Sequence, residues 1–343
     1  MRATWLASLL LLVCLAAAQD LPPDVLLLAR IKSHVREELS RTPNYTCLET
    51  VSRFRNNSRF GPQQNITLKP LDTVRLEIVY TDHHEWYGFP GDRSLSTDRP
   101  AALVDVGMIG SGGFAGTLNS IVQGGVFTYR GDEDVDGRSA VRFDFTLSRW
   151  LKPMIVSIPG GTGTVGEKGS LWADRQTLQL LRIESHVDEI PPSLLLDKAT
   201  TTVSYAPVRI GESSVVLAQH AETRTVDSSG VENYNRIEFT HCRAYSAESE
   251  IRFDPEPSPD LKAASPIAAP DASSRTIPAL LAITVRLATP FSDRDTVGTP
   301  IEGKVAGNVM HKGKLLIPDG AVVRGRIRRL DRYQGGRRFY RRP

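Results

Sequence analysis

Cysteine is scarce in this chain: three in 343 residues, alongside four methionines and four tryptophans. Neither Cys47 nor Cys242 belongs to a set of ligands with zinc-site spacing, so a structural zinc site is not expected. Charge of one sign is also lacking. The 42 basic and 39 acidic residues leave a net charge of +3, too little for a general attraction to polyanions, and nucleic acid is not an expected partner. No stretch is apolar for the ~18 residues that a membrane-spanning helix needs. The G-x-S-x-G nucleophile signature is missing too, and no other complete catalytic motif stands in its place. These gaps count against an enzyme, and no cofactor is expected.

What is present begins with an address. Met1-Arg2 precedes an apolar run from Leu6 to Leu15 and then Ala16-Ala17-Ala18, the layout of a cleaved secretory signal peptide over residues 1–18. The expectation is an exported protein, periplasmic or associated with the outer membrane. Lipid anchoring at Cys14 competes, because Leu11-Leu12-Val13 in front of it partly matches a lipobox. Cleavage leaves Cys47 and Cys242 in an oxidising compartment. One disulfide is predicted, worth about 4–5 kcal/mol by chain entropy for so long a loop. Sequons at Asn44, Asn56 and Asn65 matter only in a eukaryotic secretory route.

Asp24 is placed to cap a helix over about 24–42, with Leu28, Ile31, Val35 and Leu39 on one face and Pro43 as its stop. Nearly everything after it reads as strand. Val74, Leu76, Ile78 and Tyr80 alternate with polar residues, and so do Val141, Phe143, Phe145 and Leu147. Further strands are expected at about 45–54, 126–130, 169–174, 178–187, 200–210, 214–227, 235–245 and 249–253. Strands without intervening helices pair antiparallel. The fold class expected is mainly β (α+β): a curved antiparallel sheet, or half-barrel, packed on the N-terminal helix over 19–253. Glycine-rich 107–125 reads as a flap with a short helix near Phe114–Val122. A Pro/Ala-rich linker at 254–278, a small β-barrel-like domain at 279–330 and a basic tail at 331–343 complete the chain.

Three motifs imitate chemistry. Gly161-Thr-Gly163-Thr-Val-Gly166 matches a dinucleotide loop, but strand-like Ser170-Leu171-Trp172 follows where a helix is required, so a hairpin loop is expected. Asp132-x-Asp134-x-Asp136-Gly137 opens like a calcium loop, yet Phe143 stands where the bidentate Glu belongs. An acidic hairpin turn is expected there. His83-His84-Glu85 lacks a third ligand and reads as an exposed strand end. No metal or catalytic residue is assigned. The apolar row Val141, Phe143, Phe145 and Leu147 is the candidate ligand-facing surface.

Asn44-Tyr-Thr-Cys47-Leu-Glu-Thr50, Gly169-Ser-Leu-Trp-Ala-Asp174, Leu181-Arg-Ile-Glu184 and Tyr245-Ser-Ala-Glu-Ser-Glu-Ile-Arg-Phe253 resemble a recurring family of bacterial envelope proteins. The Gly-x-Leu-Trp-x-Asp pattern is similar to the half-barrel superfamily of LolA, LolB and RseB, over roughly 24–253. That resemblance implies a curved sheet around helices with a concave apolar face for acyl chains or a peptide, and it carries over no individual ligand residue. Residues 277–330, with Ile317-Pro318-Asp319-Gly320 as a tight turn, look like the small β domain of TrbI-type secretion-channel proteins. Taken together, the expected role is a non-enzymatic envelope module that binds a lipid, lipoprotein or peptide. An envelope protein partner would dock through the C-terminal domain. The rival role is an assembly component of a secretion or surface apparatus, and an extracellular hydrolase is the remotest alternative.

Overall fold

Proline opens the first element. In the computed structural model α1 runs Pro23–Arg41, with Pro22 at the N-cap position and no side-chain cap. Asp24 therefore lies in the first turn, where its charge meets the positive helix end, and is not the cap. Ile31 and Val35 are fully buried, with Leu27, Leu28 and Leu39 packed beside them, as the 3.6-residue spacing requires. The structure describes residues 21–56, 68–92, 100–105, 109, 114–151, 154–158, 161–245, 277–288, 290–292 and 294–330. The signal segment, the strand expected at 249–253, most of the 254–278 linker and the 331–343 tail lie outside them.

Eleven strands among the described residues form one antiparallel sheet. They are β1 Tyr45–Asn56, β2 Lys69–Thr81, β3 His84–Gly88, β4 Val126–Val135, β5 Arg138–Leu147 and β6 Met154–Ile158. The rest are β7 Gly161–Asp174, β8 Leu180–Asp188, β9 Leu196–Ile210, β10 Ser213–Asp227 and β11 Glu232–Ala244. The order is β3-β2-β1-β11-β10-β9-β8-β7-β5-β4, with β6 on β7, so the sheet is open, with β3 and β4 at its two ends. A second helix, α2 (Phe114–Gly124), precedes β4. Its Leu118, Ile121 and Val122 are buried in the same core as α1. The segment expected as a flap thus ends in a core helix, because its apolar residues recur at i, i+3 and i+4 and need a face to bury.

The four residues Val141, Phe143, Phe145 and Leu147 are 0–2% exposed and belong to this core. Phe143 meets Tyr129 at 5.3 Å and Phe145 meets Phe127 at 6.1 Å between ring centres. Gly161–Gly166 is the opening of β7, paired with β6 through Ile158↔Gly161 and Val156↔Gly163. A strand partner from the preceding segment turns the expected loop into sheet. The acidic motif does form the β4–β5 turn, where Asp134 Oδ1 accepts from the Gly137 N–H at 2.8 Å.

Residues 285–326 build a small module. A three-stranded sheet combines β12 Val285–Leu287, β13 Pro300–Val305 and β16 Val322–Arg326, and β14 Val309–His311 pairs with β15 Lys314–Ile317. Its Val297 is fully buried in the main core, donates its N–H to the Thr73 carbonyl at 2.9 Å, and bridges Val74 in parallel. β3 pairs only with residues 77–81 of β2. Val297 therefore occupies edge positions that β3 leaves open, which protects an otherwise unpaired edge.

Candidate binding pocket at the β1–β3 end of the sheet

Alternation along β1 sends Tyr45, Cys47, Glu49, Val51 and Arg53 to the inner face. Tyr45 faces Tyr80 and Cys47 faces Ile78 on β2, while Glu49 faces Leu76 on β2 and Phe239 on β11. Cys47 and Cys242 form a disulfide between β1 and β11, with Cα atoms 4.1 Å apart. The pairing follows from elimination, and the register makes it reachable. Across β2, the turn at Asp82-His83, both with positive φ, returns the chain so that Glu85 lies opposite Tyr80 and Tyr87 opposite Ile78.

These inner residues line a pocket at the end of the sheet. β1 supplies Tyr45 and Cys47, β2 supplies Ile78 and Tyr80, and β3 supplies Glu85 and Tyr87. β9 to β11 add Tyr205, Val216, Leu217, Ala218 and Phe239, and the helical side adds Leu39, Thr42 and Leu118. The cavity measures about 40 Å³. That is far below the ~300 Å³ of a pocket for a drug-sized ligand. Tyr45 and Tyr80 stack at 5.1 Å, and the Tyr87 hydroxyl donates to Glu85 Oε2 at 2.8 Å.

Among the described residues of the lining Glu85 is the charged one. Glu49, on the same row of β1 as Tyr45 and Cys47, is fully buried, and neither carboxyl oxygen has a hydrogen-bond partner among the described residues. Burial, and then the charge of Glu85, holds its carboxyl well above the ordinary range. Burial, with Glu85 next, also raises the Tyr45 and Tyr205 phenols, which stay protonated. The next base along the row, Arg53, is committed. Its Nε and Nη2 donate to both Asp72 oxygens at 2.7 Å, with both side chains buried.

Reading the strand between His83 and Glu85 as an exposed end missed Glu85, and Glu49 was missed altogether. For Glu49 the signal was present: a carboxylate between Cys47 and Val51 on a row of period two. His83 lies in the turn, where its Nδ1 is 3.2 Å from the Tyr80 hydroxyl. Among the described residues no cluster of three His, Cys, Asp or Glu is placed to hold a metal, and no helix is long and apolar enough to cross a membrane.

No protein-family model matches the chain, and no curated protein does. Among the solved structures that resemble it are two of bacterial origin. One is described as an outer membrane lipoprotein-sorting protein domain from Vibrio parahaemolyticus: 13% identity, 64% of this chain, 93% of the other, TM-score 0.32. The second is a DUF1329 family protein from Desulfovibrio piger: 10% identity, 65% and 93% coverage, TM-score 0.34. Likeness at that level assigns neither a family nor a ligand.

Proposed function

We propose that the chain is an exported, non-enzymatic binding module of the cell envelope, with its ligand site in the pocket between β1–β3 and β9–β11. One observation carries this reading: a concave pocket lined by five aromatic rings and the carboxylate of Glu85. The cavity volume sets the ligand's scale. A head or short apolar group enters, and a whole lipid is not swallowed by the sheet. The sequence resemblance to lipoprotein-carrier half-barrels agrees with a ligand of lipid, lipoprotein or peptide origin. The resemblance of 277–330 to TrbI-type β domains supports a docking role for that module on an envelope partner.

A saturable, one-site titration with a neutral apolar fluorophore tests the site. Ala218→Trp, which fills the pocket, is expected to abolish it while the fold, checked by circular dichroism, persists. Binding that survives Ala218→Trp would move the site elsewhere.

The rival assembly role is favoured by a different feature. Trp150, Leu151 and Ile155, around the β5–β6 connection, are 70–78% exposed. If that patch is an interface, Trp150→Ser with Leu151→Ser will dissociate an oligomer in sedimentation velocity. A monomer before and after substitution would remove this reading.

A further inference from the structure

A second hollow, of about 520 Å³, lies across β4, β5, β7, β8 and β9. That volume falls within the ~300–1,000 Å³ of small-molecule sites. It opens on the face opposite the pocket: on β9 the pocket takes Tyr205, while the hollow takes Thr200 and Thr202. Register builds its floor. Thr128, Asp144, Ser170, Glu184 and Thr202 stand opposite one another from strand to strand and form one continuous polar rung. Two residues along, Val126, Thr146, Lys168, His186 and Thr200 form a second. Five strands at ~4.8 Å make each rung about 19 Å long. Between the rungs β7 and β8 close up at Gly169, where a Cβ would lie 1.9 Å from the Glu184 carbonyl oxygen. Only glycine permits that approach, and the floor there is bare backbone.

The fixed charges of the hollow are answered within the protein. Asp144 accepts from Ser170 Oγ at 2.7 Å, Arg130 Nε at 2.7 Å and Arg142 Nε at 3.0 Å. Lys168 Nζ lies 3.0 Å from Asp188 Oδ2, and Glu184 has Arg182 at 4.0 Å. A charged ligand of either sign therefore meets no row of unanswered charge. The hydroxyls of Thr128, Thr146, Thr200 and Thr202 make no hydrogen bond to another described residue. They can both donate and accept, and carboxylates that accept stand between them at a fixed spacing. An extended peptide is poorly matched, because β5, β7 and β8 are paired on both sides and leave no backbone group open to strand addition. A chain of neutral sugars fits: its hydroxyls donate and accept at repeated intervals, and its C–H faces meet the threonine methyls and Val126, which is 68% exposed.

We propose that this outer hollow is a second binding site, for a neutral oligosaccharide lying across the five strands. It does not depend on the pocket reading, since the two sites occupy opposite faces of the sheet. The test is calorimetric titration of the mature protein at neutral pH with two neutral sugars, cellotetraose and the tetramer of N-acetylglucosamine. Glucose, tetragalacturonate, the tetramer of glucosamine and a neutral Gly-Ser peptide are the comparisons. At least one neutral tetrasaccharide is expected to bind about ten-fold or more tightly than glucose, because linked sugars engage several strands together. Neither charged tetramer is expected to exceed it. Thr128→Val with Thr202→Val keeps the β-branched shape and removes the hydroxyls at both ends of one rung. It is expected to weaken the tetrasaccharide about ten-fold, with circular dichroism and fluorophore binding in the pocket unchanged. Tighter binding of a charged tetramer, equal binding of the peptide, an affinity untouched by the double substitution, or no binding of either neutral tetrasaccharide overturns the proposal. Sugar binding that fails while the fluorophore still titrates overturns this site alone. Cellotetraose alone supports a glucan source and the N-acetylglucosamine tetramer alone an amino-sugar polymer; both outcomes uphold the site.

Discussion

Glu49 holds its proton in the folded state because burial removes the water that would solvate its charge, and Glu85 adds repulsion. In the unfolded chain the carboxyl returns to its ordinary value of 4.5. Unfolding above that value therefore releases a proton, so the contribution of Glu49 to stability is fully present below pH 4.5 and is lost as pH rises through the raised folded value. The slope is about 1.4 kcal/mol per pH unit within that window. Urea melts of wild type and Glu49→Gln are expected to nearly coincide at pH 4.5 and to separate by pH 8, with the variant the more stable. The inner row carries the opposite case at Arg53 and Asp72, a bidentate pair with both side chains buried. Asp72→Ala removes a bidentate counter-charge from a buried guanidinium, and a loss of about 3–5 kcal/mol in the same melts is expected.

At the level of elements, β1 joins the pocket to the rest of the sheet. It pairs with β2 on one side and β11 on the other, and the Cys47–Cys242 bond ties residues 195 apart in sequence. Replacing both cysteines by alanine removes that constraint on the unfolded chain, and a loss near the chain-entropy value of about 4–5 kcal/mol is expected in denaturant. The helices answer to different physics. Ile31 of α1 and Ile121 of α2 sit in the main core at 1% and 0% exposure. Truncating either to alanine opens a cavity between helix and sheet, with an expected cost of about 2–5 kcal/mol measured by thermal or urea unfolding. Leu39 and Leu118 extend the same two helical faces toward the pocket, which couples helix packing to its shape.

Over the whole molecule the small module is tied to the large sheet at a few definable points. Val297 enters the main core, Arg326 pairs with Asp92, and Arg328 Nη2 reaches Asp105 Oδ1 at 2.7 Å. Gly298 has φ +95°, and a Cβ there would meet Phe89 Cδ1 at 2.2 Å. Gly298→Ala therefore combines backbone strain with a clash against a buried ring, and it is expected to undock the module while both sheets persist. Amide exchange at Val297 checks this, since its N–H is sequestered by Thr73 only when docked. Protection unchanged from wild type would mean that the contact tolerates the extra carbon.

Local periodicity was enough to read α1, because helix spacing shows over four turns, and to read the two-residue alternation of β2 and β5. Its inward rows are the buried rows observed: Val74–Tyr80 and Val141–Leu147. The disulfide was readable by elimination. The pocket was not. Its walls come from residues 39 to 239, brought together by the pairing of β1 with both β2 and β11. A row on one strand shows which side chains turn inward, but strand order and register decide what they meet there. Glu85 entered the site only because the Asp82-His83 turn sets it opposite Tyr80, and Val297 entered the core only because β3 is too short to cover β2. Side-chain alternation is a property of neighbouring residues and was available from the sequence. The convergence of Glu85 and five rings depends on contacts distant along the chain, and tertiary structure alone decided it.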